Sequence, residues 1–167
     1  NWLSYNTLSL GNAFLGSGWT KNINGTGSTP ALYLACECDV SIPVRCCIEL
    51  GPLPNGCSVL RTIDIVSSVT DGSGATGISP AIVKLLELNA DGSINDSWTW
   101  TDPRGTNPSN YSTTTPATNT WTLNGTTGIT LSSSKRYVIE MWPAYTTAGS
   151  FTIHFHRFTV AYRRATM

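Results

Sequence analysis

The clearest pattern in the chain is a two-residue alternation of apolar and polar positions near its C-terminus. Tyr137, Ile139 and Met141 share one face of an extended segment. After a Pro/Thr/Gly turn, Phe151, Ile153 and Phe155 share a face of the next. A period of two is the signature of a half-buried strand. In that last segment the apolar set then moves to Phe158, Val160 and Tyr162, so its parity switches near His156-Arg157. One extra residue there, a β-bulge, returns both halves to a single core.

Upstream the elements are shorter and separated by turn formers. Ala31 to Ala35 and Val40 to Leu50 read as strands, the second interrupted by Pro43, which lacks an N–H and so suggests an edge or a bulge. Gly51-Pro52-Leu53-Pro54-Asn55-Gly56 is a firm break. Cys57 to Val69 follows as a strand with Leu60, Ile63 and Ile65 as core candidates. Ser79 to Gly92 admits two readings. Ser79, Pro80 and Gly92 fit the cap positions of a helix, whereas Ala81, Val83 and Leu85 alternate and Asn89-Ala90-Asp91-Gly92 makes a good hairpin turn. Every neighbouring element reads as strand, which favours strand here as well. Ser97 to Thr101 places Trp98 and Trp100 on one face. Residues 102–120 read as a Thr/Pro/Asn/Ser loop, and Trp121 to Leu123 and Ile129 to Leu131 as short strands.

Many short strands punctuated by Gly and Pro indicate an all-β chain: a single antiparallel β-sandwich, jelly-roll-like. Residues 1–30 are expected to be an N-terminal extension or arm with short strands packed on the sandwich, and residues 31–167 the sandwich itself. No internal repeat is visible. At 167 residues the chain is long enough to bury one substantial core.

Charged residues make up only 12% of the chain, against roughly a quarter in ordinary soluble domains. The surface must therefore be covered largely by hydroxyls, amides and backbone. Ten basic and ten acidic residues cancel to a formal net charge of zero, which argues against a nucleic-acid partner. No stretch approaches the ~18–20 apolar residues of a membrane span, and no signal-peptide pattern is evident. Neither membrane nor cofactor is expected. Cys36, Cys38, Cys46, Cys47 and Cys57 all fall within residues 36–57, too close together to staple distant parts of a fold. On strands Cys36 and Cys38 share a face, while Cys46 and Cys47 face opposite ways. Their redox state is open between buried thiols and local disulfides, and the spacing is not a usual one for zinc.

No catalytic set stands out. His154 and His156 face one side of a strand, and a metal there would need a third ligand from elsewhere. Most of the acids sit beside Gly, Pro or Asn, where turn hydrogen bonding explains them. Asp91-Gly92-Ser93-Ile94-Asn95-Asp96 spaces oxygens as calcium loops do, but lacks the sixth-position Gly and twelfth-position Glu; a hairpin tip fits better. Six tryptophans invite a sugar-stacking reading, with Trp98, Trp100 and Tyr111 beside a polar loop as its carriers, and Trp2, Trp19, Trp121 and Trp142 as packing residues. Arg157, Arg163 and Arg164 concentrate positive charge at the C-terminal edge, a candidate contact in an assembly.

An ordered series of short motifs carries a resemblance: Gly18-Trp19-Thr20, Leu53-Pro54-Asn55-Gly56-Cys57, Val83 to Leu88 followed by Asp91-Gly92-Ser93, and Lys135-Arg136-Tyr137-Val138-Ile139-Glu140. Across residues 15–164 the chain resembles β-sandwich surface domains of tailed-bacteriophage virion proteins, of the capsid-decoration, fibre and appendage type. It departs from them in its cysteine cluster and its 106–120 loop. The resemblance implies a non-enzymatic structural protein of the virion, assembled in the host cytoplasm. It also implies a homo-oligomer, a trimer by expectation, in contact with sister subunits, other virion proteins and the host. The alternative is a carbohydrate-binding module or receptor-binding head that meets a host surface glycan through exposed Trp and Tyr. A glycan-cleaving enzyme ranks third, since it needs two acids facing one cleft.

Overall fold

The computed structural model describes residues 3–15, 19–24, 31–38, 45–53, 58–69, 78–101, 117–123, 127–145 and 151–164. They form β1 (Leu3–Thr7), a 3-10 turn (Leu10–Asn12), β2 (Phe14–Leu15), β3 (Trp19–Asn24), β4 (Ala31–Cys38), β5 (Cys46–Glu49), β6 (Val59–Val69), β7 (Ile78–Leu88), β8 (Ile94–Thr101), β9 (Ala117–Leu123), β10 (Ile129–Thr130), β11 (Arg136–Tyr145) and β12 (Phe151–Arg163). Every pairing among them is antiparallel.

The hydrogen-bonded order is β2-β5-β11-β7-β8-β9-β6-β12-β4-β3, with β1 on β12 and β10 on β6. Among the described residues the β8–β9 ladder has two residue pairs, Trp100↔Leu123 and Thr101↔Thr122. There the ladder turns from one layer into the other. Sheet I is therefore β2-β5-β11-β7-β8, and sheet II runs from β9 through β6 and β12 to β4 and β3. The result is an antiparallel, jelly-roll-like β-sandwich.

Register and pleat place the core between the layers. Residues directly opposite each other in an antiparallel pair point to the same face. One row across sheet I reads Ile48, Ile139, Leu85, Trp98, and the next Cys46, Met141, Val83, Trp100. Facing them from sheet II are Leu60, Ile63, Ile65, Trp121, Phe155, Phe158, Val160 and Tyr162, all in the same buried cluster. Phe155 and Phe158 stack with ring centroids 5.9 Å apart.

The bulge expected in the last strand is present. The β12–β6 register shifts between Phe155 and Arg157, and Phe155 on one side and Phe158, Val160 and Tyr162 on the other are all buried. Residues 78–88 are strand. They join β8 through a hairpin in which Asn89 N–H donates to the Ser93 carbonyl at 2.9 Å and Gly92 N–H to the Asn89 carbonyl at 3.0 Å. Asp91 accepts from the Ser93 amide and hydroxyl at 2.9 and 2.6 Å, so the calcium-like spacing serves a turn.

The described part of the expected N-terminal extension consists of short strands built into the sheets. β1 joins β12, β2 joins β5, β3 joins β4, and Leu8, Leu10 and Ala13 enter the core. Short strands of this kind bury little by themselves and gain their order from the ladders they complete. The 102–120 loop is shorter than its composition implies, because Ala117 to Thr120 pairs with β6. Thr118 and Thr120 point to solvent, so a solvated strand face has the composition of a loop. Pro43 and the 71–74 turn lie outside the described residues.

Gly128 shows how closely the turn before β10 approaches β6. It has φ +76°, and a Cβ on it would come within 2.5 Å of the Leu60 carbonyl oxygen. Gly128→Ala adds left-handed strain to a backbone clash. It is expected to cost about 2–3 kcal/mol, lowering Tm by roughly 4–12 °C in a chain of this size. A thermal melt of the variant checks this.

Candidate functional site

Because core residues occupy the odd positions of β11, its even positions must face outward. Glu140 lies opposite Cys47 on β5 and Lys84 on β7; Cys47 lies opposite Phe14, and Lys84 opposite Thr99. One outward row therefore crosses all five strands of sheet I as Phe14–Cys47–Glu140–Lys84–Thr99, about 19 Å at ~4.8 Å per strand. The next row is Glu49–Val138–Leu86–Ser97, and beyond it lie Arg136, Leu88 and Ile94.

The middle of this face is less exposed than its ends. Glu140 is 7% exposed and Leu86 8%, although both point away from the core between the sheets, whereas Phe14 is 71% and Ile94 61% exposed. This strip, with a shielded and charged centre between exposed ends, is called the trough below. Glu140 accepts from Arg45 Nη1 at 3.0 Å and faces Lys84 in the ladder. Nearer the end of the sheet, Arg136 Nε and Nη2 each lie 3.0 Å from Glu49 Oε1. Burial first, and then the charge of Glu140, push the Cys47 thiol up, with Arg45 opposing. Cys47 is thus held as a neutral thiol and not as a nucleophilic thiolate.

A polar network closes the adjoining end of the sandwich. The Tyr137 hydroxyl donates to Glu87 Oε2 at 2.7 Å and accepts from the Ser132 amide at 2.8 Å. Asn95 Nδ2 donates to Glu87 Oε1 at 2.6 Å, and Lys135 Nζ to Asn89 Oδ1 at 2.9 Å. Burial, and less strongly the hydrogen bond and charge of Glu87, push Tyr137 up to about 12, against the Ser132 amide, which favours the phenolate.

The residues singled out from sequence are distributed differently. Trp100 is only 2% exposed and lies in the core with Trp121, and Trp98 packs against the same cluster. Trp100 is therefore corrected from a surface platform to a core residue. The polar parity of β8 (Ser97, Thr99) holds the outward face and sends both indoles inward. Tyr111 lies outside the described residues. Arg157 and Arg163 stand six residues apart on β12, roughly 20 Å, so the arginines do not form one patch. Arg163 Nη2 donates to the Thr127 carbonyl at 2.7 Å, while Arg157 and Arg164 are exposed. Cys46 is buried and Cys47, half-buried, faces the other way. Among the described residues no three His, Cys, Asp or Glu side chains converge as a metal set. Phe14, Arg45, Lys84 and Glu140, which the sequence gave no reason to combine, are the residues that the ladder assembles.

No family model matches the sequence, and no curated protein matches it. Solved structures do. The xylan-binding module CBM15 superposes with a TM-score of 0.51 at 15% identity, covering 98% of this chain and 99% of that one. A second structure, from work on the promiscuous specificity of carbohydrate-binding modules of the β-sandwich superfamily, superposes with a TM-score of 0.54 at 15% identity. It covers 89% of this chain, which spans 56% of that longer chain. What is shared is the fold. The sandwich expected from sequence has its counterparts among carbohydrate-binding modules, and neither neighbour is described as a virion protein.

Two measurements probe these placements. Trp100→Ala is expected to destabilise by about 3–5 kcal/mol in chemical denaturation, as loss of a large core side chain does. A near-native midpoint would place the indole outside the core. Raising the pKa of Tyr137 favours its neutral form in the folded chain. That contribution is intact below about pH 10 and is lost as the pH climbs toward about 12. Stability measured across this window should fall less steeply in Tyr137→Phe than in the parent chain.

Proposed function

We propose that this chain is a non-catalytic carbohydrate-binding module whose contact surface is the trough on the outer face of sheet I. The observation that carries the reading is the row Phe14–Cys47–Glu140–Lys84–Thr99. It combines an exposed aromatic ring with a sunken carboxylate flanked by two cations. A sugar ring has an apolar C–H face that packs on an aromatic, and hydroxyls that both donate and accept. Glu140 accepts, Arg45 and Lys84 donate, and Phe14 offers the apolar surface. Ser97 and Thr99 extend the row of hydroxyls toward β8. The fold likeness to a xylan-binding module over almost the whole of both chains supports the same reading.

The non-catalytic part has its own support. Glycoside cleavage requires one carboxyl to protonate the leaving oxygen while a second acts opposite it. Glu49 and Glu140 share the outer face, but each is engaged as an acceptor by an arginine. A place on a virion, with sister subunits around it, draws no support from the neighbours. It stays within the proposal only as a receptor-binding head that uses this face.

The test is isothermal titration of the purified chain with a panel of neutral hexasaccharides, xylan-derived and glucan-derived. At least one is expected to bind. Phe14→Ala should weaken that ligand tenfold or more, about 1.4 kcal/mol, with Tm unchanged within about 2 °C because the ring is exposed. No binding across the panel would overturn the reading.

A further inference from the structure

At the end of sheet I the outer face runs into a cavity that the trough does not use. Its two walls are the loop after β5 and the turn before β11. The Leu50 amide, donating to the Tyr137 carbonyl at 3.0 Å, holds the walls together. The cavity, open to solvent on one side, measures about 610 Å³, within the range of pockets that hold small ligands. Pro52 and Leu53 give it an apolar side, and Ser132 and Ser133 supply hydroxyls.

Its charged lining is Glu49, Arg136 and Lys135. Glu49 and Arg136 form an ion pair and cancel. Tyr137, also in the wall, is neutral, and its hydroxyl is taken up by Glu87 and Ser132. Glu87 does not line the cavity; Tyr137 and Asn95 both donate to it. The uncancelled charge in the lining is the Lys135 ammonium, whose hydrogen bond to Asn89 Oδ1 is to a neutral amide. An ammonium carries three donors, so this bond leaves capacity for an anionic acceptor. On β11, Arg136 stands four residues from Glu140, about 14 Å along the strand, and it belongs to both the outer face and the cavity wall.

We propose that the cavity takes a single carboxylated sugar residue, a hexuronate at a chain end. Its carboxylate meets Lys135 Nζ and the Ser133 hydroxyl, and its apolar ring face lies on Pro52 and Leu53. The inference rests on the sugar-binding reading of the chain and assigns the charge of the terminal sugar. The cavity has ample room for a ring with its substituents, and the trough holds the neutral part of the chain.

The test follows backbone amide shifts by NMR while glucuronate, glucose, acetate and a neutral hexasaccharide are titrated separately. Glucuronate is expected to shift Gly51, Leu53 and Ser132 to Lys135, and to bind at least tenfold more tightly than glucose or acetate. Lys135→Met should remove that advantage, Lys135→Arg should largely keep it, and neither should alter binding of the neutral hexasaccharide. Equal affinity for glucose and glucuronate overturns the assignment of charge. Equal affinity for acetate and glucuronate overturns the assignment of a sugar. Glucuronate shifts absent from these loops, with the hexasaccharide still shifting Phe14, Cys47 and Glu140, overturn the cavity proposal and leave the trough reading intact. The reverse pattern, glucuronate in the cavity and no response along the trough, overturns the trough and supports the cavity.

Discussion

The two-residue period of β11 governs most of what this molecule presents to its surroundings. Ile139 and Met141 must face the second sheet, and the pleat then leaves Glu140 and Val138 no choice but the outer face. A slip of one residue would exchange the two sets, bringing a carboxylate into an apolar core at a cost of several kcal/mol. Core packing therefore also fixes the register of the outer row. β11 is paired on both sides, by β5 and β7, so its register passes to Cys47 and Lys84 and from them to Phe14 and Thr99. The site on sheet I is thus a by-product of burying its other face.

The same economy of construction explains the ends of the sandwich. The layers are joined by a ladder of two pairs at β8–β9, which leaves each sheet free to twist on its own. At this seam Trp100 and Trp121 are buried side chains large enough to fill the space between diverging strands. At the opposite rim of sheet I, polar groups replace apolar ones. Tyr137, Glu87, Asn95 and Ser132 satisfy one another by hydrogen bonds, as partly buried polar groups must. The cavity opens beside this network and shares Ser132, Lys135 and Tyr137 with it.

The low charge of the chain has a structural counterpart. On the described outer face of sheet II, hydroxyls pair with one another and with an acid: Thr7 and Thr159 lie within 3.3 Å across β1 and β12, and Thr120 donates to Asp64 at 2.6 Å. On sheet I the few charges are gathered into the pairs Arg45–Glu140 and Arg136–Glu49. Arg45, Glu49, Lys84, Arg136 and Glu140 share the outer face of sheet I and give that face a distinct chemistry.

Sequence alone determined the all-β class, the bulge in β12 and the inward sets on β6 and β11, and it favoured strand over helix at 79–92. Each rests on a local property: side-chain period, turn chemistry, or the parity of apolar residues along one strand. Trp100 was legible in the same way, because Ser97 and Thr99 already claimed the polar parity of β8; the attraction of a paired indole platform outweighed that signal. Tertiary structure decided the rest. That residues 3–15 contribute to both sheets, that 117–120 is strand, and that Phe14, Cys47, Glu140 and Lys84 form one row depend on which strands lie side by side. Phe14 and Glu140 are more than a hundred residues apart in the chain, and nothing in a local pattern encodes their meeting. It follows from pairing partners and register, which are set by the balance of buried area over the whole core.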